Sequence, residues 1–365
     1  MHVAHCPRCK RSLALFRSDK IKKDYITPCV GNPFFVELFM WITLAACMMT
    51  FLTVYIALPP LCALSWRMGA VDVPRDARRM HRSSVPRCGG LGIFFAFLIG
   101  VLLTWGGEAW QMRLLAGAWM LLAVGLTDDI YTVGPWTRLL VQGLAAAMVV
   151  EPRFVWGDFA RLLWILLLCN AHNLIDGMDG LLAGCVTVEC IAVCGSLLIN
   201  GEDAFALTAL LLGAACAGFW IYNRHPAVVF AGDCGSCTVG YLLGALSLRL
   251  WELRTTPFTP MVPLLIFAYP LTDVFCAVAR RLLRGKSPFS ADRGHLHHRL
   301  FDAGVAMGQC VRLLHTIVGM SALLGVLLAM GDRLWWSSAA AALFALLLIV
   351  VKKRVLQDEK NQKKT

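Results

Sequence analysis

The sequence predicts an all-α, polytopic integral membrane protein. Of its 365 residues, 58% are hydrophobic and 16% are charged, and the mean hydropathy is +0.65. A soluble domain needs more polar residues than this to cover its surface. A helix that crosses the hydrocarbon core needs about 20 apolar residues, and many such runs alternate here with short polar connectors. No run shows the alternating pattern of a membrane-spanning strand, so we predict a helix bundle.

The apolar runs predict about ten to eleven transmembrane helices. We place them at 39–65, 89–105, 114–127, 136–150, 162–175, 181–200, 204–222, 234–250, 261–279, 313–330 and 334–351. Glycine-rich openings such as "CGGLGIF" suit close packing of helices in lipid. The predicted membrane domain therefore covers residues 40–351, and a basic tail follows at 352–365.

The distribution of Lys and Arg orients these spans. Eleven spans divide the connectors into two sets, of which one holds 20 Lys and Arg residues and the other holds 5. The richer set comprises 66–88, 128–135, 176–180, 223–233, 280–312 and 352–365. By the positive-inside rule, this set is predicted to be cytoplasmic.

The first 39 residues do not fit this orientation. Residues 1–38 carry seven Lys and Arg but fall on the outer side by span count. The segment has no apolar signal-peptide core with a cleavage site, and Met40 stands where the first span begins. We interpret 1–39 as an upstream extension; a basic tail tolerated on either side is the alternative. Cys6 and Cys9 resemble half of a zinc knuckle, but no second C-x-x-C follows.

Polar residues concentrate in the connectors predicted to be cytoplasmic. They form "DVPRDARRMHRSSVPRCGG", "GLTDDIYTVG", "NAHNLIDGMDG", "HPAVVFAGDCGS" and "SPFSADRGHLHHRL". The opposite connectors carry acidic residues singly or in one pair, and we expect no charged residue at the centre of a span. Ionisable residues at a membrane are costly and usually functional, so these clusters mark the predicted site.

The residue types in these clusters suit phosphate chemistry. Carboxylate and amide oxygens are ligands for Mg²⁺, which completes its shell with substrate phosphate oxygens. Arg79, Arg82, Arg87, Arg293 and the histidines can neutralise the phosphate oxygens that a metal does not reach. The sequence therefore predicts a site for phosphorylated partners on the cytoplasmic membrane surface.

Each acidic cluster also has a purely structural interpretation. Asp128 and Asp129 are compatible with a solvated helix end. The spacing of Asp176 and Asp179 places both carboxylates on one face of a helix, but D-G-x-D-G is also typical of a turn.

The remaining clusters have functional alternatives. The three imidazoles of "HLHH" suit zinc, although Arg293 and Arg299 nearby favour phosphate. Asp233 also fits an ion-coupled transporter or an intramembrane aspartyl protease. A transporter predicts charges near mid-membrane within inverted repeats, and a protease leaves the Arg/His segment 280–299 without a role.

Taken in order, the five motifs resemble the polyprenyl-phosphate N-acetylhexosamine-1-phosphate transferases, over about residues 41–350. The resemblance is greatest to the bacterial undecaprenyl-phosphate N-acetylglucosamine-1-phosphate transferases, which begin teichoic acid, O-antigen or related envelope polysaccharides. It implies transfer of GlcNAc-1-phosphate from UDP-GlcNAc to undecaprenyl phosphate, with UMP released, in the bacterial inner membrane. The implied cofactor is Mg²⁺, with Mn²⁺ as an alternative. The expected partners are both substrates and the lipid bilayer, without nucleic acid; a homodimer stays open.

The resemblance also implies roles for individual residues. Asp233 and Asn173 are the expected metal ligands, and Asp128, Asp129 and Asp176 the expected catalytic residues. The expected substrate-binding residues are Asn170, Asp179, His81, Arg87, Arg293, His295, His297 and His298. Among these, Asp179 is expected beside the uracil, and Arg293 with the three histidines at the diphosphate.

Two positions depart from the family pattern. Thr132 stands where many relatives carry an acid or Lys, and His172 stands where the motif usually has an apolar residue. The H-x-H-H spacing of residues 295–298 resembles the GlcNAc enzymes more than the MurNAc-pentapeptide transferases. We therefore expect UDP-GlcNAc as the donor, with other UDP-N-acetylhexosamines or UDP-MurNAc-pentapeptide as alternatives.

Overall fold

The structure is a computed structural model that describes residues 33–73, 84–104, 106–150, 156–253, 259–285, 287 and 294–330. His81, Arg79, Arg82, Arg293, the predicted span 334–351 and the tail lie outside the described residues. The described part contains twelve α-helices, one 3-10 turn and one pair of two-residue strands. The predicted all-α class is confirmed.

The helices follow one another with short connections. They are α1 (Pro33–Met68), α2 (Gly89–Leu103), α3 (Ala109–Ile130), α4 (Pro135–Val150), α5 (Trp156–Ile175), α6 (Leu181–Ile199), α7 (Asp203–Asn223), α8 (Gly232–Glu252), α9 (Val262–Ile266), α10 (Ala268–Leu283), α11 (Leu296–Asp302) and α12 (Met307–Ala329). Strands β1 (Val71–Asp72) and β2 (Val85–Pro86) pair antiparallel between α1 and α2.

Six of these helices are long and apolar enough to cross a bilayer. They are α3, α5, α6, α7, α12 and the Met40–Met68 part of α1. Helices α2 and α4 are shorter but apolar. Each of the first ten predicted spans coincides with a described helix or helix pair, and the chain is a multi-span membrane protein.

The predicted span 261–279 is a bent pair of helices. Helices α9 and α10 meet there at an angle of 72° around Phe267. Pro270 explains the break, because it has no N–H to donate to the carbonyl of Ile266.

Helix α8 forms the centre of the bundle and packs against α2, α3 and α5. Seventeen of its twenty-one residues are buried. A side-chain methyl at Gly90 would overlap the backbone at Gly235, and one at Gly240 would overlap Leu168 and Cys169. These glycines therefore let the backbones of α2 and α5 touch α8. Because protein surrounds it, α8 needs less hydrophobicity than a lipid-facing span.

The strand pair attaches the segment before α2 to the start of α8. Phe230 donates its N–H to Pro86 at 2.8 Å, and Gly89 donates to Phe230 at 2.9 Å. Arg87 donates its N–H to Ala70 at 2.9 Å. These bonds place the Arg87 side chain beside the N-terminus of α8.

Candidate active site

Several helix ends meet at one end of the bundle, which we call the site face. It contains the end of α3, the turn between α5 and α6, and the segment between α7 and α8. Asp128, Asp129, Asp176, Asp179 and Asp233 all lie there, as the sequence predicts.

Asp233 lies in the first turn of α8 and contacts Asn173 near the end of α5. Asn173 donates its amide N–H to Asp233 Oδ1 at 2.5 Å and to Ser236 Oγ at 2.9 Å. The two predicted metal ligands are therefore neighbours. In this arrangement the amide nitrogen of Asn173 faces the carboxylate, so metal ligation by its oxygen requires the amide to rotate.

Asp129 caps α8. Its Oδ1 accepts the N–H of Asp233 at 2.9 Å and its Oδ2 accepts the N–H of Cys234 at 3.1 Å. A carboxylate satisfies the free donors at a helix N-terminus and complements the helix dipole. Arg87 Nη1 lies 3.5 Å from Asp129 Oδ1. Asp129 thus connects α3 to the backbone that carries Asp233.

Arg87 is the basic group closest to Asp129 among the described residues. Burial alone would lower the pKa of its guanidinium, but the attraction of Asp129, Asp233 and Asp176 outweighs burial and raises that pKa. Arg87 therefore stays a cation in the site, which agrees with its predicted role toward phosphate.

Asp128 is held by a residue to which sequence analysis assigned no role. Its Oδ2 accepts from Arg138 Nη1 at 2.9 Å, and its Oδ1 accepts the Val133 N–H at 2.6 Å. The same Arg138 nitrogen lies 3.8 Å from Asp233 Oδ1. Arg138 therefore links two carboxylates of the site. The sequence could have indicated Arg138, because it lies one turn into the helix that follows the "DD" pair.

Asp176 belongs to the turn between α5 and α6, so of the two alternatives for D-G-x-D-G the structure has the turn. The turn ends at Gly180, whose φ of 77° is readily adopted only by glycine. Burial raises the pKa of Asp176 to about 7; Arg87 opposes this shift, and Asp233 and Asp129 add to it. Asp176 can therefore exchange a proton near neutral pH.

Asp179 binds the segment between α7 and α8. Its Oδ2 lies 2.7 Å from His225 Nδ1 and accepts the Ala227 N–H at 3.1 Å. Gly180 donates its N–H to Asn223 Oδ1 at 3.1 Å. His225 is a further residue without a role in the sequence analysis, although it opens the "HPAVVFAGDCGS" motif.

The histidine motif joins the site through the same turn. His297 is buried, and a methyl group at Gly177 would overlap its imidazole. Burial lowers the pKa of His297 to about 3, and the neighbouring His298 acts in the same direction. The His297 and His298 ring centroids are 4.4 Å apart. His297 is thus a neutral ring whose two nitrogens have no protein partner among the described residues.

His295 is anchored by Asp273 of α10, which sequence analysis missed. His295 Nδ1 lies 2.7 Å from Asp273 Oδ2. Asp273 lies in a bent helix pair predicted as a single span, so its distance from the motif could not be inferred from spacing.

Asn170 and His172 lie deeper in the bundle. Asn170 donates its amide to Gln142 Oε1 of α4 at 2.8 Å and to the Leu166 carbonyl at 2.7 Å. His172 Nε2 lies 2.9 Å from Glu189 Oε2, and both side chains are fully buried. Glu189 lies near the middle of α6, so the expectation of no charge at a span centre is wrong. His172 is accounted for as the partner of that carboxylate.

The charges of the site fit a divalent cation bound together with phosphate. Asp128, Asp129, Asp176 and Asp233 interact electrostatically with one another or with shared neighbours. Two arginines, Arg87 and Arg138, oppose these four carboxylates. No group of three His, Cys, Asp or Glu side chains is arranged for metal binding in the described parts of the chain.

The opposite end of the bundle also contains a charged cluster, which corrects the prediction of dispersed charges. Arg249 contacts Glu202 at 2.8 Å and Glu252 at 3.0 Å, and Arg161 contacts Asp158 at 3.2 Å. Arg161 Nη2 also lies 3.8 Å from Glu252 Oε1, so the cluster connects α5 to α8 and α8 to the residue before α7. Its carboxylates are all matched by arginine, in contrast to the acidic excess of the site face.

The fold and the site together define a class: a multi-span membrane protein whose helix ends gather carboxylates, arginine and histidine at one face. The sequence profile of glycosyl transferase family 4 matches residues 111–251, which include the Asp128–Asp129 pair and Asp233. A Bacillus subtilis protein named probable undecaprenyl-phosphate N-acetylglucosaminyl 1-phosphate transferase is 34% identical over 293 residues, covering 74% of this chain and 81% of the relative. The chain belongs to this family of polyprenyl-phosphate N-acetylhexosamine-1-phosphate transferases.

Two further relatives are similar over comparable lengths. Decaprenyl-phosphate N-acetylglucosaminephosphotransferase of Mycobacterium tuberculosis is 31% identical, with 73% of this chain and 78% of the relative covered. Undecaprenyl-phosphate alpha-N-acetylglucosaminyl 1-phosphate transferase of Escherichia coli K12 is 29% identical, with 72% and 77% covered. The family resemblance predicted from the motifs is confirmed.

Proposed function

We propose that the protein transfers GlcNAc-1-phosphate from UDP-GlcNAc to undecaprenyl phosphate in the bacterial inner membrane. An oxygen of the lipid phosphate attacks the β-phosphorus of UDP-GlcNAc. The bond from that phosphorus to the oxygen bridging the two phosphates breaks, and UMP leaves with the bridging oxygen. The product, undecaprenyl-diphosphate-GlcNAc, is the first membrane intermediate of an envelope polysaccharide such as teichoic acid or O-antigen.

The observation that carries the proposal is the meeting of Asp128, Asp129, Asp176 and Asp233 beside Arg87 at the end of a membrane helix bundle. A lipid phosphate reaches the protein from the bilayer and a nucleotide sugar from the aqueous side, so a joint site belongs at the membrane surface. Both substrates are anions, and the positions of Arg87 and the histidine motif suit their phosphates.

Mg²⁺ is the proposed cofactor, held by Asp233 with Asn173. An ion held there would supply positive charge beside the phosphate oxygens of the two substrates. Asp129 supports this function by holding the backbone of Asp233, and Arg138 orients Asp128 toward the same place. Asp179 with His225 forms the proposed polar wall at the uracil.

Asp176 is the proposed proton-exchanging carboxylate, since burial raises its pKa to about 7. A lipid phosphate is already ionised near neutral pH, so its attack needs little help from a base. The proposed contribution of Asp176 is therefore to keep its charge low until substrates and cation are bound.

Purified protein with undecaprenyl phosphate, Mg²⁺ and radiolabelled UDP-GlcNAc tests the proposal. We expect UMP release in step with a labelled lipid. No labelled lipid with any UDP-N-acetylhexosamine or with UDP-MurNAc-pentapeptide would overturn the proposed function. Labelled lipid formed from another UDP-sugar in preference to UDP-GlcNAc would overturn the choice of donor alone.

A protein purified from a bacterial host needs a matched control for host transferases. A mock preparation from the same host carrying an empty vector, purified in parallel, serves this purpose, because it contains the host transferases without this protein. Equal activity in both preparations would assign the turnover to the host.

A further inference from the structure

Asp273 on α10 binds the start of the histidine motif at two points. Its Oδ2 lies 2.7 Å from His295 Nδ1, and its Oδ1 accepts the backbone N–H of Leu296 at 2.9 Å. The side chains of Asp273 and His295 are 3% and 6% exposed. One carboxylate therefore holds both the imidazole of His295 and the first residue of α11.

This arrangement determines which nitrogen of His295 remains available. An ionised carboxylate is only an acceptor, so the Nδ1 that faces it carries hydrogen. The other nitrogen, Nε2, is then the one that can meet a substrate. When the ring is protonated, Nε2–H can donate to a diphosphate oxygen while Asp273 supplies the opposite charge.

The orientation of His295 also affects the rest of the motif. The rings of His295 and His297 are nearly parallel, at 12°, with centroids 5.7 Å apart. His297 in turn packs on Gly177, in the turn that carries Asp176 and Asp179. A change in the His295 ring therefore reaches the turn through adjacent side chains.

We propose that Asp273 is a positioning residue for the transfer reaction. Its carboxylate accepts the hydrogen bond of His295 Nδ1–H and so leaves Nε2 to contact the substrate diphosphate. The inference rests on the proposed function. A purely structural role, in which Asp273 only joins α10 to α11, does not depend on which nitrogen of His295 carries hydrogen. The positioning role does.

Asp273→Asn tests this with little change of shape. The amide oxygen can still accept the Leu296 N–H, but the amide NH₂ then faces His295 Nδ1 and donates to it. The hydrogen of the neutral ring moves to Nε2, and the negative charge that pairs with a protonated ring is lost, so the diphosphate meets only a neutral and weaker donor. We expect kcat to fall by about 10- to 100-fold, by analogy with the loss of a carboxylate that orients a metal-bound histidine. Asp273→Glu keeps the carboxylate and should recover part of kcat.

Two measurements separate positioning from folding. The ¹⁵N shifts of His295, assigned by difference from His295→Asn, report which nitrogen carries hydrogen. We expect Nδ1–H in the wild type and Nε2–H in Asp273→Asn, with unchanged thermal unfolding. Asp158→Asn is the matched control, a buried aspartate paired with Arg161 at the opposite end of the bundle, and should retain wild-type kcat.

The outcomes distinguish this inference from the function on which it rests. Wild-type protein that forms no labelled lipid overturns the proposed function. Active wild type with an Asp273→Asn variant of equal kcat, or with a neutral His295 ring whose only hydrogen is on Nε2 in the wild type, overturns the positioning role alone. A loss of kcat that Asp158→Asn reproduces, or that accompanies unfolding, also overturns it.

Discussion

Asp233 is the single residue at which three helices of the site meet. It opens the central helix α8, and its carboxylate meets Asn173 and Arg138 from two other helices. Asp233→Ala should reduce the formation of labelled lipid by about 100-fold or more, because a fixed charge that acts on the transition state is lost.

Asp203→Asn on the opposite face is the control for Asp233→Ala, since Asp203 is exposed at the start of α7. Near-normal turnover of Asp233→Ala at saturating Mg²⁺ would show that the metal ligands are wrongly assigned.

Gly177 tests the contact between the turn and the histidine motif. In Gly177→Ala the new methyl group overlaps the His297 imidazole, which must move. We expect kcat to fall about tenfold or more, because small displacements of positioning groups are costly in catalysis. Gly195→Ala is a matched control on α6, where an added methyl meets nothing within 4 Å. Equal kcat in the two variants would exclude a role for this contact.

At the scale of elements, the pair His172–Glu189 joins α5 to α6 inside the bundle. Replacing either residue alone by Leu leaves a buried polar partner, which should lower the free energy of unfolding by about 3–5 kcal/mol. The double variant His172→Leu with Glu189→Leu removes both groups and should recover most of that loss.

Thermal unfolding in detergent of the two single variants and the double variant measures this coupling. Additive losses would show that His172 and Glu189 do not stabilise one another. The pair also explains the departure of His172 from the family motif: a polar residue on one helix is matched by a carboxylate on the next.

Helices and turns were predictable where a short stretch of sequence indicates them. Apolar length located the helices, and Gly180 was a candidate turn residue because it ends the D-G-x-D-G pattern. The bend at Phe267 was less accessible from hydropathy, since residues 261–279 are apolar on both sides of it. The cap of α8 by Asp129 joins residues that are 104 positions apart in the chain, so no local pattern could reveal it.

At the scale of the whole molecule, basic residues are concentrated in the connectors on the site face. The positive-inside rule therefore predicts that this face is cytoplasmic. Ala204→Cys, on the opposite face, should react with a membrane-impermeant maleimide in intact spheroplasts. Arg284→Cys, beyond α10, should react only after lysis.

The unmodified protein controls for its own cysteines in this labelling experiment. Most of the cysteines in the described residues are buried, which limits the background. The reverse labelling pattern would invert the orientation and contradict a cytoplasmic nucleotide site.

The amino-acid sequence by itself determined the class of protein, the approximate spans and which acidic residues gather at the site face, namely Asp128, Asp129, Asp176, Asp179 and Asp233. Hydropathy, charge asymmetry and motif order are properties of short segments, so they can be read without knowing which segments meet. Only the tertiary structure decided the partners of these residues: Arg138 for Asp128, His225 for Asp179, Asp273 for His295 and Glu189 for His172. Those pairings depend on which helix faces pack together. The spacing of residues within one segment does not show which distant segment that segment will contact.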